Sequence, residues 1–420
     1  MRLVCIECGK SHASTRTRWV CDCGGLLEVS LSPQKNRQRL SRQLFDERLA
    51  EAQGRSSGVW RFKELLPPLP TECVVSRAEG NTRQYRHRRL SHYCGIEKVW
   101  AKHEGENPTG SFKDRGMTVG TSMAIFFNAK TVVCASTGNT AASMAAYAAL
   151  GGLKAVVFIP KGEIALGKLS QSLAYGAKTI QINGNFDDAM RIVKELAPKL
   201  GFYPLNSLNP FRLEGQKTIV FELLQQRGWQ APDWIVVPGG NLGNTAAFGK
   251  ALAELKESKL IHRVPRVAVI QAAGSNPFYQ SYLTDFKEKI TVLAPETLAT
   301  AIRIGSPINY AKAVKTIQFT KGVVEQVGET EIMDAKAVVD GCGIGCEPAS
   351  ACTVAGIRKL VKKGVIKKDE SVVGILTGNL LKDPQATLDY HSKGIPAPSK
   401  YANKPLIIAP TISKIRQALK

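Results

Sequence analysis

The sequence predicts an α/β fold built on doubly wound parallel sheets. Short runs of β-branched and apolar residues alternate with segments of helical periodicity from about Val99 onward. Strands that alternate with helices of this length favour parallel strands joined by helical crossovers. A chain of 420 residues with 44% hydrophobic content is also long enough to bury a substantial core. The clearest strand and helix pairs are TVVCAS with NTAASMAAYAAL, KTIQING with DDAMRIVKELAPKL, and WIVVPGG with NTAAFGKALAELKE.

The composition indicates a basic protein of the cytoplasm without a membrane segment. No window approaches the about 20 apolar residues that a membrane helix needs, and the N-terminus MRLVCIECGK lacks the apolar core of a signal peptide. Ten cysteines in such a chain are expected to be reduced thiols. The net charge of +22 is spread over separate stretches, such as 83–90 and 359–368. This distribution favours a general basic surface over a specific nucleic-acid site.

The first informative loop, NPTGSFKDRG, contains a lysine that is placed for chemistry. Ligands of open α/β sheets bind at the carboxyl ends of the strands, where such loops converge. Ser111 can cap the following helix, which puts Lys113 in its first turn. A partly desolvated amine near the positive end of a helix has a lowered pKa and is nucleophilic, as a Schiff-base lysine must be. The same pattern is also met in surface lysines that follow a helix-start turn.

Three further loops follow predicted strands. ASTGNTAAS offers backbone N–H groups for a carboxylate or phosphate, and its Asn139 can donate to a phenolic oxygen. VPGGNLGNT has glycines that permit close backbone approach to a phosphate, although it matches neither a Walker loop nor G-x-G-x-x-G. ILTGNLLKDP places Thr377 at the end of the last apolar strand. A lysine, a phosphate cradle, an amide donor and a hydroxyl at one sheet edge together predict a site for pyridoxal phosphate.

These loops resemble those of the fold-type II pyridoxal-phosphate enzymes and, within them, the threonine synthase family. The resemblance extends from about residue 59 to about residue 390. It implies two doubly wound parallel-sheet domains with the active site between them: a large cofactor-binding domain of residues 61–120 and 201–392, and a small substrate-binding domain of residues 121–200. The matching motifs are NPTGSFKDRG, ASTGNT, ALGKLSQSL, NSLNPFRLEGQKT, PGGNLGN, ETLATAIRIGSP, EPASA and TGNLLKDP.

The resemblance also implies roles for individual residues. Lys113 would hold pyridoxal phosphate as a Schiff base and later shuttle protons, Asn139 would contact the 3′-oxygen of the ring, and Thr377 would meet the pyridine nitrogen. A hydroxyl at that nitrogen moderates the electron demand of the ring. The phosphate of the cofactor would lie against Gly239, Gly240, Asn241, Leu242, Gly243 and Asn244. The carboxylate of the amino-acid substrate would meet Ser136, Thr137 and Thr140.

The stretch NSLNPFRLEGQKT indicates a phosphorylated amino-acid substrate. Asn206, Ser207 and Arg212 resemble family positions that bind the phosphate of the substrate, and Lys168 could help to neutralise it. The guanidinium group offers a planar fork for phosphate oxygens. Alternatively, Arg212 pairs with Glu214 or with a surface carboxylate. The implied reaction of this pyridoxal-phosphate-dependent lyase is γ-elimination and β-addition, which converts O-phospho-L-homoserine and water to L-threonine and phosphate.

Three alternatives to this activity remain open at the level of sequence. A cysteate synthase, which uses phosphoserine and sulfite, needs a similar phosphate site. A threonine or serine dehydratase usually has an all-glycine phosphate loop, whereas asparagines occupy the loop here. A non-catalytic, basic nucleic-acid-binding protein on a decayed enzyme scaffold is disfavoured because Lys113, Asn139 and the phosphate loop are all retained.

The two ends of the chain are outside the predicted sheets. Residues 1–30 resemble a zinc ribbon, in which Cys5, Cys8, Cys21 and Cys23 could hold a structural zinc ion. The second pair has the spacing C-x-C, one residue short of the usual knuckle, so a degenerate ribbon without metal is the alternative. Residues 31–60 are predicted to form a linker with a helix, and residues 393–420 a basic tail. The family resemblance implies a homodimer.

Overall fold

The structure is a computed structural model that describes residues 1–14, 18–31, 40–51, 57–161, 166–184 and 186–419. Its strands are β1 (Arg2–Cys5), β2 (Ser11–Ala13), β3 (Leu27–Ser30), β4 (Gln84–Tyr85), β5 (Val99–His103), β6 (Thr131–Ala135), β7 (Lys154–Pro160), β8 (Lys178–Ile182), β9 (Tyr203–Pro204), β10 (Trp234–Pro238), β11 (Arg266–Ala272), β12 (Val323–Val327) and β13 (Val372–Leu376). Its α-helices are α1 (Arg42–Glu51), α2 (Arg88–Cys94), α3 (Lys113–Phe126), α4 (Asn139–Leu150), α5 (Leu166–Ala174), α6 (Phe186–Leu200), α7 (Pro210–Gln216), α8 (Thr218–Gln226), α9 (Gly243–Glu257), α10 (Pro277–Leu283), α11 (Tyr310–Thr320), α12 (Glu329–Asp340), α13 (Pro348–Lys362), α14 (Pro384–Leu388) and α15 (Ile412–Ala418). Within these described ranges, no helix has the length and apolar character to cross a membrane.

The larger sheet has the strand order β12-β11-β10-β13-β5-β4 and is parallel except for the short edge strand β4. Its central strand β10 is buried along its whole length. Ile235 and Val237 pack into the hydrophobic cluster on one face, whereas Trp234 and Val236 pack into the cluster on the other. This alternation follows from the two-residue period of a strand. Burial of both faces explains why WIVVP is apolar without interruption.

The smaller sheet has the order β8-β7-β6-β9 and is parallel throughout. Its strands lie between β5 and β10 in the chain, so the chain leaves the larger sheet after β5 and returns to it at β10. Two parallel sheets with helical crossovers confirm the predicted α/β fold class. The exact residues at which the two predicted domains meet stay a prediction.

The N-terminal segment forms a separate antiparallel sheet of order β2-β1-β3. Leu3, Leu27 and Val29 of this sheet are buried against residues of the smaller sheet and of α3. The predicted linker contains α1, although residues 32–39 and 52–56 lie outside the described ranges. Near the other end of the chain, α15 and the preceding apolar residues, among them Leu406 and Ile407, are exposed.

Candidate functional site

The loops that follow β5 and β13 are joined to each other by their main chains. The amide of Phe112 donates to the carbonyl of Thr377 at 3.0 Å, and the amide of Asn379 donates to the carbonyl of Gly110 at 2.9 Å. Both loops follow the carboxyl ends of neighbouring parallel strands, where ligands of open α/β sheets bind. The sequence-predicted residues Lys113 and Thr377 are therefore brought to the same edge of the larger sheet.

Lys113 is the first residue of α3, as the sequence predicts, but the predicted cap is wrong. The helix is preceded by Phe112, which makes no side-chain capping bond, and the buried hydroxyl of Ser111 has no hydrogen-bond partner in the described part of the structure. Ser111 instead forms a β-bridge with Gly378, so its main chain is extended between the two loops. The position of Lys113 is therefore set by backbone pairing between its loop and the Thr377 loop. It is not set by a capping side chain.

The surroundings of Lys113 lower the pKa of its amine to about 7. The side chain is partly exposed, yet desolvation by the surrounding protein is the largest influence on this pKa. Repulsion from the Arg212 guanidinium lowers it further, whereas the Glu347 carboxylate opposes both effects. A lysine with such a pKa is largely neutral above pH 7, so its nitrogen can act as a nucleophile or as a base.

Glu347 is a buried carboxylate in this site that the sequence reasoning did not single out. Its two oxygens accept from the side-chain amide nitrogen of Asn139 at 3.1 and 3.0 Å. Because a carboxylate can only accept here, the Asn139 nitrogen must face it, and the buried Asn139 carbonyl oxygen has no partner among the described residues. Nearby, the hydroxyls of Ser350 and Thr377 lie 3.0 Å apart. Glu347 and Ser350 belong to the quoted stretch EPASA, which follows no strand and so gave no positional signal.

The loop between β10 and α9 is shaped for close approach of an anion. Leu242 has a φ of 60°, and α9 begins directly after it, so the first N–H groups of the helix have no acceptor within the helix. A Cβ on Gly240 would lie 3.1 Å from the Cα of Ile302. The side-chain oxygens of Asn244 and Thr245 are buried, and no described residue is their hydrogen-bond partner. Gly239 differs from the later residues of this loop, because its N–H already donates to the carbonyl of Ile270 at 2.7 Å.

Arg212 is a buried cation that pairs with no carboxylate among the residues that the structure describes. Its side chain is 1% exposed, and its Nη1 donates to the carbonyl of Leu205 at 3.0 Å. Within the described ranges its Nε and Nη2 have no hydrogen-bond partner, and burial lowers the pKa of the guanidinium to about 10. The alternative pairing with Glu214 is not observed, since Glu214 binds Lys217 and Lys250 instead. Two unsatisfied N–H donors on a buried charge are suited to an anionic ligand.

Arg212 reaches the neighbourhood of Lys113 because α3 and α7 cross at backbone contact. A Cβ on Gly215 of α7 would lie only 1.8 Å from the carbonyl oxygen of Arg115 in α3. On the facing helix, a Cβ on Gly116 would lie 3.0 Å from the carbonyl oxygen of Arg212. Glycine at both positions lets the helices approach, which places the guanidinium against the helix that starts with Lys113.

We expect Gly215→Ala to lower the free energy of unfolding by about 3 kcal/mol, because the added methyl group overlaps the Arg115 carbonyl and forces the helices apart. The denaturant midpoint of the variant measures this loss. Gly328→Ala is the control, since a Cβ there would meet only the side chain of Glu331 at 3.7 Å. Equal midpoints for the two variants would contradict a close helix crossing.

The remaining predicted residues are held in different ways. The side chain of Asn206 accepts from the amide of Ala135 at 3.2 Å and donates to its carbonyl at 2.9 Å, so it fastens the end of β6. The carbonyl of Ser207 accepts from Asn309 at 3.2 Å. The hydroxyl of Ser136 accepts from the amide of Gly138 at 3.1 Å. Thr137 and Thr140 are partly exposed beside Asn139, and the side chain of Lys168 lies outside the described part of the structure.

The four N-terminal cysteines converge on one point. Their sulfur atoms all lie within 4.8 Å of one another, and all four thiols are free. The shortest sulfur–sulfur distances are 3.4 Å for Cys8 and Cys23, 3.5 Å for Cys5 and Cys23, and 3.7 Å for Cys8 and Cys21. Four sulfurs at the Zn–S distance of about 2.3 Å in a tetrahedron would be about 3.8 Å apart. The cluster therefore fits a zinc ion, despite the short C-x-C spacing of the second pair.

Comparison with known proteins bears on the chemistry of this site. Residues 75–378 match the family described as pyridoxal-phosphate dependent enzyme. A threonine synthase of Methanocaldococcus jannaschii is 46% identical over 91% of this chain and 93% of its own length. A threonine synthase of Methanosarcina acetivorans is 43% identical over 99% of this chain and 98% of its own length. The chloroplastic threonine synthase 2 of Arabidopsis thaliana is 40% identical over 90% of this chain and 75% of its own length.

Solved structures of lower identity share the fold. Maize serine racemase superposes with a TM-score of 0.64 at 21% identity and covers 80% of this chain and 99% of its own. Diaminopropionate ammonia lyase of Escherichia coli gives 0.65 at 15% identity over 89% of this chain and 95% of its own. The sequence matches, together with Lys113, the loop between β10 and α9 and the buried Arg212, show the family of this chain. It belongs to the pyridoxal-phosphate-dependent enzymes and, among these, to the threonine synthase family.

Proposed function

We propose that the substrate is O-phospho-L-homoserine, which reacts with water to give L-threonine and phosphate. The observation that carries this proposal is the buried guanidinium of Arg212, whose Nε and Nη2 find no partner in the described part of the chain and which lies close enough to Lys113 to lower the pKa of its amine. A phosphate on the amino-acid side chain would satisfy both donors and neutralise the charge. A substrate without phosphate would leave them unpaired, at a large loss of binding free energy.

The residues of the site fit pyridoxal phosphate. Lys113 would hold the cofactor covalently, the loop of Gly240, Asn241, Leu242, Gly243 and Asn244 would hold its phosphate, and Gly239 would keep the loop close to the sheet. Asn139 would contact the 3′-oxygen of the ring, and Thr377 would contact its nitrogen. The side-chain oxygens of Asn139 and Asn244 are buried, have no partner among the described residues, and would be reached by such a ligand. When bound, pyridoxal phosphate withdraws electrons from the α-carbon of an amino acid.

The residues of this chain then have distinct tasks in the reaction. The Lys113 amine would take the proton from Cα and return protons later in the cycle. Arg212 Nε and Nη2, with Ser207, would bind the phosphate and stabilise the charge that develops as it leaves. Ser136, Thr137 and Thr140 would bind the substrate carboxylate, Lys168 would add positive charge, and Asn206 would fix the position of the Ala135 loop.

A comparison of three substrates tests the proposal. Purified enzyme with pyridoxal phosphate is supplied with O-phosphohomoserine, with phosphoserine and sulfite, or with threonine, and released phosphate and amino-acid products are measured. We expect phosphate and threonine from the first substrate alone. Activity only with phosphoserine and sulfite would make the enzyme a cysteate synthase, and loss of ammonia from threonine would make it a dehydratase.

The pKa of Lys113 predicts how capture of the cofactor depends on pH. Only the neutral amine attacks an aldehyde, so the initial rate at which cofactor-free protein captures pyridoxal phosphate should rise with pH and reach half its maximum near pH 7. A midpoint near the ordinary lysine value of 10.5 would contradict the lowered pKa of Lys113.

The same pKa predicts how the stability of the cofactor-free protein depends on pH, because the unfolded chain keeps the proton on Lys113 up to about pH 10.5. Ionisation of Lys113 should therefore make the cofactor-free fold more stable as pH rises between about 7 and 10.5.

Glu347 should act as a positioning residue for Asn139. In Glu347→Gln the carboxylate that fixes the Asn139 amide is replaced by a neutral group that can donate as well as accept. We expect kcat to fall about tenfold and the visible absorbance band of the bound cofactor to shift, with KM little changed. Glu288→Gln, at an exposed position, is the control. An unchanged band and kcat in Glu347→Gln would assign Glu347 to packing alone.

We further propose that the enzyme is a cytoplasmic homodimer. Support for a second copy comes from the family resemblance and from the exposed aliphatic residues of the C-terminal segment, such as Leu406, Ile407 and Ile412. Ten free thiols suit a reducing compartment. Sedimentation of the full chain tests the dimer, and a monomer at micromolar concentration would contradict it. Cell fractionation tests the compartment.

A further inference from the structure

The N-terminal cysteine segment, residues 1–14 and 18–31, is connected to the loop that would hold the cofactor phosphate. We propose that this segment is a metal-dependent brace for the phosphate loop, so that zinc on the four cysteines strengthens the binding of pyridoxal phosphate. The inference rests on the proposed placement of the cofactor phosphate at residues 240–244, and it gives the metal site a function beyond the stability of its own segment.

The first connection runs from the cysteine segment to α11. The amine of Lys315 donates to the carbonyl of Ile6 at 2.8 Å, within the turn that connects Cys5 and Cys8. One helical turn earlier, the amine of Lys312 donates to the carbonyl of Leu27 in β3 at 2.7 Å. Lys312 is only 7% exposed, and burial lowers the pKa of its amine to about 8. A buried amine held by a carbonyl of the segment indicates a fixed contact rather than a loose surface one.

The N-terminus of α11 holds the phosphate loop directly. Asn309 precedes the helix, and its main-chain amide donates to the carbonyl of Asn241 at 3.2 Å. Its side-chain nitrogen lies 3.3 Å from the same carbonyl and 3.2 Å from the carbonyl of Ser207. The lysines of α11 therefore contact the cysteine segment, and Asn309, the N-cap residue of the helix, contacts both proposed phosphate sites.

The second connection runs through α9, which begins at the phosphate loop. Lys250 of this helix donates to the carbonyl of Val29 in β3 and to the carboxylate of Glu214. Glu214 lies on α7, the helix that carries Arg212. The strand β3 is thus held by lysines of both helices that border the phosphate loop.

The metal matters because the cysteine segment is small, although Leu3, Leu27 and Val29 anchor its sheet to the rest of the protein. Its sheet has three short strands, and two of the four cysteines are exposed. Small segments of this kind are usually ordered by their metal, so metal binding free energy becomes folding free energy. Loss of the ion should loosen the turn at Ile6 and the strand at Val29. The helices α9 and α11 would then lose partners for buried amines, and the phosphate loop would be less preorganised for its ligand.

Metal extraction provides the first test. Zinc content is measured in protein purified under reducing conditions, the metal is removed with a chelator, and the dissociation constant for pyridoxal phosphate is determined by absorbance. We expect one zinc per chain, a constant raised about tenfold on extraction, and recovery when zinc is returned. No bound metal, or an unchanged constant after extraction, would overturn the proposal. Wild-type protein that fails to bind pyridoxal phosphate at all would instead overturn the proposed function.

A substitution that leaves the cysteines intact provides the second test. Lys312→Met keeps the aliphatic chain of Lys312 but removes the bond to Leu27. We expect zinc content to stay at the wild-type value, the dissociation constant for pyridoxal phosphate to rise about tenfold, and hydrogen exchange at residues 241–257 to become faster. The control is Lys256→Met on α9, because Lys256 donates to the carbonyl of His262 and not to the cysteine segment. Equal affinity and exchange in the two variants would contradict the brace, and if Lys312→Met does not fold, the metal-extraction experiment decides.

Discussion

Lys113→Ala is expected to abolish turnover and to remove the visible absorbance band of the lysine-bound cofactor. The substitution takes away the only atom proposed both to hold pyridoxal phosphate covalently and to move the Cα proton. We expect kcat to fall by about 10⁴-fold or more, as happens when a residue with a covalent role is deleted. Turnover assays and the absorbance spectrum of the purified variant provide the measurements.

The matched control for Lys113→Ala is Lys130→Ala, which removes an exposed lysine just beyond the end of α3. It should keep the visible band and full turnover. The variant Lys113→Ala should still bind pyridoxal phosphate without a covalent bond, because the phosphate loop is untouched. A normal visible band in Lys113→Ala would show that another lysine holds the cofactor and would refute the assignment.

Arg212→Met should decrease kcat/KM for O-phosphohomoserine by about 10³-fold while leaving the fold as stable or making it more stable. Activity falls because the phosphate loses two charge-assisted hydrogen bonds in a desolvated site. Stability is kept because the substrate-free protein no longer buries an uncompensated charge. Steady-state kinetics and thermal unfolding of the cofactor-loaded protein measure the two effects.

Arg61→Met is the control for Arg212→Met, because Arg61 is equally buried but has a carboxylate partner. Its Nη2 lies 3.0 Å from Glu222, at the centre of a cluster that also contains Lys102 and Arg115. Breaking this ion pair should lower the free energy of unfolding by about 3 kcal/mol. If Arg212→Met were destabilised to the same extent, Arg212 would be a structural residue, and the proposed phosphate site would be refuted.

The alternation of strands and helices was enough to predict the parallel α/β fold, because burial on both faces leaves an unbroken apolar run such as WIVVP. It was also enough to place Lys113, Asn139 and Thr377 at strand ends. The capping role of Ser111 was predicted wrongly, since local helix-start chemistry was overridden by backbone pairing between Ser111 and Gly378. That pairing joins residues far apart in the chain, which no local pattern reports.

The involvement of Glu347 could not be read from a strand-end pattern for a related reason. EPASA stands at the start of α13, after a turn and not after a strand, so the rule that places ligands at strand ends did not apply to it. Only packing brings its carboxylate against Asn139, 208 positions earlier in the chain. The same holds for the cysteine pairs, whose spacing alone left zinc and a degenerate ribbon open, whereas the sulfur positions fit a tetrahedral ion.

From the sequence alone, the fold class and the cofactor were predicted correctly and Lys113 was proposed to bind the cofactor, because periodicity and loop motifs are local properties of the chain. The tertiary structure alone decided the electrostatics of the site. Whether Arg212 pairs with a carboxylate depends on how its neighbours are arranged: Glu214 is bound to Lys217 and to Lys250 of α9, and among the described residues no carboxylate pairs with the guanidinium. Charge compensation depends on distances between distant segments, and only the folded chain sets them.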